Sequence, residues 1–310
     1  MDVPFRRAAP GAVLGPDEYR LSVIVPVYNE VETLEAAVER LRAVEQLPLE
    51  IIVVDDASTD GSRDLLREML ADGRIHRLVL QDPNRGKGAA VRAGFDAARG
   101  DIAVIQDADL EYDPRDLPNL LEPILDGRAD AVIGTRFRGE GAQRVLYYWH
   151  SLGNRLLTML SNVTTNLNLT DMECCYKAIR TDLLRRLPLT ARRFGIEPEL
   201  VARLAQAGAR VYEVPVRYDG RTYAEGKKIT WRDGLAAFWH IYRAAFRPPR
   251  ARYVHLPPLA PSARERAEGR RARRELEREA RELSAPAARG EPVADDRPIR
   301  MDADVGVETG

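Results

Sequence analysis

Short apolar runs rich in β-branched residues alternate with helix-like segments between residues 21 and 134. Each run is typical of a strand buried on both faces, and the segments between them place apolar residues at helical spacing. Strands that alternate with helices in this way form right-handed βαβ units and a mainly parallel sheet. We therefore predict an α/β fold with helices flanking the sheet. The predicted strands are Leu21–Val27, Glu50–Asp55, Ile75–Leu80, Ile102–Ile105 and Ala131–Gly134.

Polar segments follow four of these strands. They are Tyr28-Asn29-Glu30, Asp55-Asp56, Asn84–Gly88 and Asp107–Glu111. In open α/β sheets, ligands bind beyond the carboxyl ends of the strands, so we expect these segments to gather at one edge. The turn at Asn84–Gly88 lacks the full pattern of a P-loop. Pro26 has no amide hydrogen, which predicts that the ladder of the first strand stops there.

Asp107 and Asp109 alternate directly after the fourth strand, and Glu111 follows two residues later. Alternation in an extended tail places the two aspartates on the same side, and hard oxygen ligands of this kind suit Mg²⁺ or Mn²⁺. A divalent ion held there needs an anionic partner, for which a nucleotide diphosphate is the common choice. The alternative interpretation is a solvated acidic turn.

Composition and cysteine content limit the possible partners and compartment. The 310 residues carry a formal net charge of −1, which removes any global argument for nucleic-acid binding. Cys174 and Cys175 are adjacent, so they cannot build an ordinary disulfide framework, and a reducing cytosolic compartment is the simplest fit. No window reaches the roughly 18 to 20 apolar residues of a spanning helix. We therefore expect a cytoplasmic protein whose membrane contact, if any, is peripheral.

Three regions follow from changes in composition. Residues 1–18 are predicted to be a flexible leader, residues 19–247 a folded domain, and residues 248–310 a charged, low-complexity tail that is disordered or locally helical. The domain divides at about residue 134, because the regular alternation stops there and a polar segment, Thr170–Arg180, follows.

Two stretches of the second half have apolar and aromatic residues at helical spacing, from Val145 to Val163 and from Trp231 to Phe246. Such stripes pack into a core in most enzymes. A helix with Trp and Phe on one face and basic residues alongside also fits a membrane interface, and the second stretch has this pattern.

Four motifs together resemble the family 2 glycosyltransferases. They are PVYNE (Pro26–Glu30), VVDDASTDG (Val53–Gly61), NRGKGAAVRAG (Asn84–Gly94) and DADLE (Asp107–Glu111). The resemblance covers about residues 20–247, and within the family it is nearest to the dolichol-phosphate mannose synthases and bacterial polyprenyl-phosphate glycosyltransferases. It implies a GT-A fold, which is Rossmann-like, a nucleotide-sugar donor and a Mg²⁺ or Mn²⁺ cofactor.

The resemblance also implies roles for individual residues. It places the base and ribose against Pro26, Tyr28, Glu30 and Asp56, and it places the metal and diphosphate against Asp107 and Asp109. Glu111 stands where the nearest relatives often have Gln, and it keeps an oxygen ligand for the metal. Lys87, in the glycine-rich motif, is expected to contribute to nucleotide-sugar binding.

Further basic residues are implied to face the diphosphate. Gly134-Thr135-Arg136 is similar to the family's Gly-Ser-Arg, in which the arginine faces phosphate oxygens. Arg221 and Lys227 lie in RTYAEGKK, which is similar to the family's loop over the diphosphate, although Ala224 and Gly226 depart from that pattern. Cations around the leaving diphosphate are the main catalytic requirement of sugar transfer.

The acceptor decides whether a general base is needed. A lipid phosphate is already anionic near pH 7, whereas a hydroxyl acceptor requires a carboxylate within hydrogen-bond reach. Glu199 and Asp171 are the candidates, each either as a base or as an orienting group. The segment TDMECCYK departs from the Thr-Asp-Pro-Thr-Ser-Gly-Phe form of the mannose synthases, so it does not identify the sugar or the acceptor.

These observations predict an inverting, metal-dependent glycosyltransferase. It would move a hexose from a UDP- or GDP-linked donor to a polyprenyl phosphate at the cytoplasmic membrane face, with Asp109, Arg136, Glu199 and Asp171 as the candidate catalytic residues. The first alternative is transfer to a soluble or glycolipid hydroxyl. A nucleotidyltransferase would carry a Gly-rich, Arg-containing loop after the first strand, where this chain has Tyr28-Asn29-Glu30. A non-catalytic nucleotide-sugar sensor would tolerate neutral residues at Asp107 and Asp109.

Overall fold

A seven-stranded sheet forms the centre of the computed structural model, which describes residues 21–44, 47–139, 144–145, 147–220 and 231–246. The strands lie in the order β3-β2-β1-β4-β6-β5-β7. They are β1 (Leu21–Val27), β2 (Leu49–Asp55), β3 (Arg77–Leu80), β4 (Ile102–Ile105), β5 (Ala131–Thr135), β6 (Lys177–Arg180) and β7 (Val211–Pro215). β6 runs antiparallel to both of its neighbours, and the other pairings are parallel. The predicted α/β fold with a mainly parallel sheet is confirmed.

Helices connect and cover the strands. They are α1 (Val31–Arg42), α2 (Ser62–Ala71), α3 (Lys87–Ala97), α4 (Leu117–Leu125), α5 (Tyr148–Thr165), α6 (Thr181–Leu184), α7 (Ile196–Gln206) and α8 (Trp231–Phe246), with a short 3-10 helix at Pro114–Asp116. Within the described residues, none of the helices is both long and apolar enough to cross a membrane. The predicted leader (1–18) and tail (248–310) lie outside the described residues.

The strand order places a switch point between β1 and β4. The chain passes from β1 to β2 and β3 on one side of the sheet, and then returns to place β4 on the other side of β1. At such a point the loops after the two central strands diverge and leave a crevice. The loops that begin at Tyr28 and Asp107 therefore lie on either side of it.

Pro26 does not end its strand, so that prediction is wrong for one edge of β1. The pairing of β1 with β2 continues to Val27 opposite Asp55, whereas the pairing with β4 ends at Ile24 opposite Ile105. Ile24 accepts a hydrogen bond from the β4 side and Val27 accepts one from the β2 side. Because residues alternate between the two neighbours, Pro26 faces the β4 side, beyond the last residue of that strand, and its missing amide hydrogen costs no ladder bond.

The core lies between the sheet and its helices, and a smaller cluster extends it. β1, β2 and β4 are almost wholly buried, as their apolar sequences predict. α3 packs closely on β1, because a Cβ on Gly94 would lie 2.3 Å from a methyl carbon of Ile24. The smaller cluster joins β5 to α5, α7 and α8 through Ile133, Leu157, Leu169, Met172, Val201, Ala237 and Ile241.

Candidate functional site

The turns after β1 and β2 are joined by hydrogen bonds at the carboxyl edge of the sheet. The Thr59 amide donates to Asn29 Oδ1 at 2.8 Å, and the Asn29 amide donates to Ser58 Oγ at 3.0 Å. Asn29 has a φ of 54°, a left-handed conformation that Asn adopts more readily than most residues. This junction fixes the loop on which Tyr28 and Glu30 are presented, and Tyr28 is 46% exposed there.

Asp56 organises the glycine-rich loop. Its two carboxylate oxygens each accept a backbone hydrogen bond at 2.7 Å, one from Arg85 and one from Gly86. Gly86 has a φ of 88°, which favours glycine, and a Cβ there would lie 2.5 Å from the Arg192 carbonyl oxygen. A buried carboxylate thus holds the loop that starts α3, and Lys87 is the first residue of that helix. The predicted contact of Asp56 with the base or ribose stays a prediction.

Lys87 joins two acidic side chains across the crevice. Its Nζ lies 2.8 and 2.9 Å from the two oxygens of Asp107, and 3.6 Å from Glu197 Oε1. Burial of the ammonium opposes its charge, but the negative charge of Asp107 and its neighbours outweighs burial and raises the pKa of Lys87 well above its ordinary value. The other oxygen of Glu197 accepts a hydrogen bond from Lys177, which is fully buried. The result is a row of alternating charges from Asp107 to Lys177.

Sequence reasoning did not single out Glu197, Lys177 or Glu173. Burial, followed by the charge of Glu197, raises the pKa of Glu173 to about 7. In the described part of the chain, Glu173 Oε1 and Glu197 Oε1 are buried atoms with no hydrogen-bond partner. Their positions gave no clear signal, because Glu173 and Lys177 lie in the polar segment Thr170–Arg180 and Glu197 lies in the first turn of α7, where acidic residues are common.

The predicted metal ligands lie in the loop after β4. Asp109 Oδ1 accepts a hydrogen bond from the Glu111 amide at 3.2 Å, and Glu111 Oε2 accepts one from the Tyr218 hydroxyl at 2.8 Å. Across the residues that the structure describes, no group of three or more His, Cys, Asp or Glu side chains is placed to hold a metal ion. Mg²⁺ is commonly bound through one or two carboxylates together with substrate phosphates. The pair Asp107 and Asp109 fits that kind of site, in which the diphosphate supplies further ligands.

Arg136 and Asp171 form an ion pair beside this loop, in which the carboxylate is buried and the guanidinium is partly exposed. The guanidinium donates to both carboxylate oxygens, from Nε at 2.6 Å and from Nη2 at 2.8 Å. Burial favours the neutral form of Asp171, but Arg136 outweighs that effect and lowers the pKa of the carboxyl group. Asn154 donates a further bond at 3.0 Å, and the Arg136 guanidinium lies 5.0 Å from the centre of the Tyr218 ring. The geometry suits an orienting role for Asp171, because a carboxylate with a lowered pKa is a weak base.

Glu199 supports the glycine-rich loop from the other side. Its carboxylate accepts hydrogen bonds from the Thr190 amide at 2.8 Å, the Ala191 amide at 2.6 Å and the Thr190 hydroxyl at 2.8 Å. The following residue, Arg192, accepts a hydrogen bond from the Ala89 amide through its carbonyl group. Glu199 therefore fixes segment 190–192, which in turn contacts the start of α3. Of the two roles predicted for Glu199, general base or orienting group, this arrangement favours the orienting group.

The other residues singled out in the sequence are described by the structure in part. Arg221 and Lys227 lie outside the described residues. Cys174 and Cys175 are buried as free thiols, and burial raises the pKa of Cys174 to about 12. Pro26, Tyr28, Glu30, Lys87 and Asp107 all lie at the carboxyl edge, beside the switch point.

Comparison with known proteins identifies the family. The model for "Glycosyl transferase family 2" matches residues 22–187. The undecaprenyl-phosphate mannosyltransferase of Micrococcus luteus is 35% identical over 246 residues, which are 73% of this chain and 98% of that protein. The undecaprenyl-phosphate 4-deoxy-4-formamido-L-arabinose transferase of Aeromonas hydrophila is 32% identical over 67% of this chain and 62% of its own length.

Among solved structures, the fold is similar to that of glucosyl-3-phosphoglycerate synthase from Mycobacterium tuberculosis. That crystal structure, a complex with Mn²⁺, uridine diphosphate and glucosyl-3-phosphoglycerate, has a TM-score of 0.57 and 20% identity. The alignment covers 78% of this chain and 88% of that chain. The likeness establishes the GT-A fold.

Proposed function

Because the chain belongs to glycosyl transferase family 2, we propose that it transfers a hexose from a UDP- or GDP-linked donor to a polyprenyl phosphate, with inversion at the sugar carbon. It is a glycosyltransferase related to the polyprenyl-phosphate sugar transferases. The observation that carries the proposal is the arrangement of two aspartates and a lysine at the switch point, with Arg136 beside the same loop. The name of the Micrococcus luteus relative supports the acceptor.

The donor diphosphate is proposed to lie in the crevice beyond β1 and β4. A bound Mg²⁺ or Mn²⁺, held by Asp107 and Asp109, would neutralise part of the charge that develops on the leaving diphosphate. Arg136 is oriented by Asp171 and supplies a second positive charge on this side. Lys87, which is paired with Asp107, would contribute a third positive charge.

The two candidate bases favour a phosphate acceptor. Both oxygens of Asp171 accept hydrogen bonds from Arg136, and both oxygens of Glu199 accept hydrogen bonds from segment 190–191. An anionic phosphate can attack the sugar without transferring a proton to either of them. Transfer to a hydroxyl remains the second candidate, because the Glu173 carboxyl group has a pKa of about 7, which suits a general base.

An aromatic face on α5 and α8 is proposed to bring the enzyme to its lipid acceptor. Trp149 is 77% exposed on α5, and Trp239 and Phe246 are 60% and 68% exposed on α8. Tyr242 stacks on Trp239 and contacts Phe246, so the α8 residues form one continuous surface. Aromatic and apolar groups on one helix face are typical of interfacial binding. We propose a peripheral contact with the cytoplasmic side of the membrane.

A donor panel tests the reaction. The purified protein is incubated with UDP- and GDP-linked hexoses, with undecaprenyl phosphate in detergent, and with Mg²⁺, Mn²⁺ or EDTA. We expect sugar transfer from one nucleotide series, its loss in EDTA and its loss in Asp109→Asn. The matched control is Asp64→Asn, which removes an exposed aspartate on α2. Transfer that persists in EDTA and in Asp109→Asn would contradict the proposed metal site, and failure with every donor would contradict the proposed function.

A further inference from the structure

A groove beside α3 concentrates positive charge outside the proposed donor site. It has a volume of about 1060 Å³ and lies between the end of β3, one face of α3 and the segment from Leu184 to Arg193. Five arginines and two aspartates line it, so the formal charge of its walls is 5 − 2 = +3. The arginines are Arg85, Arg92, Arg185, Arg192 and Arg193.

Among the residues that the structure describes, no carboxylate pairs with the arginines of this groove. Arg85, Arg92 and Arg185 donate to main-chain carbonyl groups, namely those of Asp82, Leu189 and Ala98. Within the described chain, none of the five arginines forms an ion pair. Arg92 Nε is in addition a buried donor with no acceptor among the described residues. Buried polar groups normally have a hydrogen-bond partner, so this donor is available to a ligand with an acceptor oxygen.

Several guanidinium groups in one concave surface suit a phosphate group. Clefts lined by charge of one sign raise the local concentration of the opposite ion, and arginine binds phosphate oxygens through paired N–H donors. The two aspartates, Asp82 and Asp96, leave the balance positive. This balance attracts an anionic ligand and repels a cationic one.

We propose that this groove binds a phosphate group, supplied either by a free phosphate compound or by an anionic lipid headgroup. The groove borders the proposed donor site at the Asn84-Arg85 turn, which belongs to both. It is otherwise distinct from that site, because its other four arginines lie on α3 and segment 184–193. Segment 190–193 also contacts the glycine-rich loop through its main chain, so an occupied groove would touch the element that positions Lys87. The inference does not depend on which sugar or acceptor the enzyme uses.

The test compares the full-length protein with the double variant Arg185→Gln/Arg192→Gln. Both side chains are exposed, and neither side chain is placed in the proposed donor site. The control, Arg67→Gln/Arg128→Gln, removes two exposed arginines that are paired elsewhere on the surface. Binding of inorganic phosphate is measured by calorimetry. Binding to phosphatidylcholine vesicles, with and without phosphatidylglycerol, is measured by sedimentation.

We expect the double variant to bind phosphate, phosphatidylglycerol vesicles or both about tenfold more weakly than the wild type and the control, with thermal stability unchanged. A difference with phosphate alone assigns the groove to a soluble ligand, and a difference with the anionic vesicles assigns it to a headgroup. Phosphate that binds in the donor site contributes equally to all three proteins. Equal binding by the wild type and the double variant in both assays would overturn the proposal, whatever the outcome of the transfer assay.

Discussion

Lys87 stands between two acidic side chains that come from distant parts of the chain. Asp107 follows β4 and Glu197 lies in α7, yet both lie within 3.6 Å of its ammonium group. The side chains of Lys87 and Asp107 are only 20% and 21% exposed, so leaving either charge without its partner is unfavourable, and these groups are expected to remain paired until a ligand replaces one of them. The anionic donor and its metal are proposed to do so at Asp107.

Glu173 gives the folded protein a specific pH dependence. Its pKa is about 7 in the folded state, against an ordinary value of about 4.3 in an unfolded chain. The folded protein therefore holds a proton that the unfolded chain releases, and the stability from this group is lost as the pH rises through 7. We expect the free energy of unfolding of the wild type, relative to Glu173→Gln, to fall by roughly 1–3 kcal/mol between about pH 4.5 and 7.5.

Urea denaturation of both proteins at several pH values measures this difference. The glutamine variant keeps the shape of the side chain and removes its titration, so contributions from other groups cancel in the comparison. A difference between the two proteins that does not change with pH would show that Glu173 has an ordinary pKa in the folded state.

At the scale of secondary-structure elements, the strands that carry the site could be predicted and β6 could not. β1, β2 and β4 are apolar runs buried on both faces, and their polar ends identify the carboxyl edge. β6 is a run of four residues with Lys177 and Arg180 at its ends. Glu197, Asp130 and Asp182 neutralise these charges in the fold, and periodicity does not detect pairing between distant residues.

In the candidate site, too, the sequence predicted residues but not the distant partners that they contact. Asp107 and Asp109 could be predicted from the sequence because they lie within four residues of the end of β4. The contacts of Asp56 and Glu199 with backbone amides depend on loop geometry, which the sequence does not reveal. The bidentate bond between Arg136 and Asp171 joins residues 35 positions apart, although the sequence had singled out both. Residue types therefore identified much of the candidate site, and their partners required the fold.

The close approach of α3 to segment 190–193 gives a prediction for Gly88. A Cβ there would lie 2.8 Å from the carbonyl oxygens of both Ala191 and Arg193, so the backbone must shift. We expect Gly88→Ala to lower the free energy of unfolding by about 1–2 kcal/mol, because the overpacking outweighs the gain in helix propensity. The KM for the donor is expected to rise, since Lys87 lies on the shifted turn.

Gly153 is the matched control for that substitution. It lies in α5, and a Cβ there would have no atom within 4 Å. We expect Gly153→Ala to raise the free energy of unfolding by about 0.5–1 kcal/mol and to leave the donor KM unchanged. Urea denaturation measures the stability and donor titration measures the KM. A Gly88→Ala protein as stable and active as Gly153→Ala would show that segment 190–193 can shift without lowering the free energy of unfolding.

The aromatic face of α8 gives a second prediction at this scale. Trp239→Ser/Tyr242→Ser removes two stacked, exposed rings that are not needed for the core. We expect binding to phospholipid vesicles to fall by about tenfold or more, because interfacial binding scales with the apolar area that is buried. Leu70→Ser, which removes an exposed apolar residue on α2, is the control and should bind as the wild type does. Unchanged sedimentation of the double variant would place the membrane contact elsewhere.

In the described protein as a whole, the proposed donor site lies at the carboxyl edge of the sheet, and aromatic residues are exposed on α5 and α8. β5 contacts both parts, since Thr135 ends the strand directly before Arg136 and Ile133 packs in the cluster with α5, α7 and α8. A polyprenyl phosphate combines the two chemistries that these regions offer, with an anionic head for the crevice and an apolar chain for the membrane. A soluble hydroxyl acceptor would leave the aromatic face without a role in the reaction.

The acceptor is proposed to be the phosphate of a polyprenyl lipid. The most direct measurement is the mass of the lipid product formed from undecaprenyl phosphate and from undecaprenol, which differ only in the phosphate, with the same donor and metal. We expect a hexosyl phosphate lipid from the first and no product from the second. A glycosylated undecaprenol, or transfer to a soluble hydroxyl with none to the lipid phosphate, would contradict this proposal and make Glu173 the leading candidate for a general base.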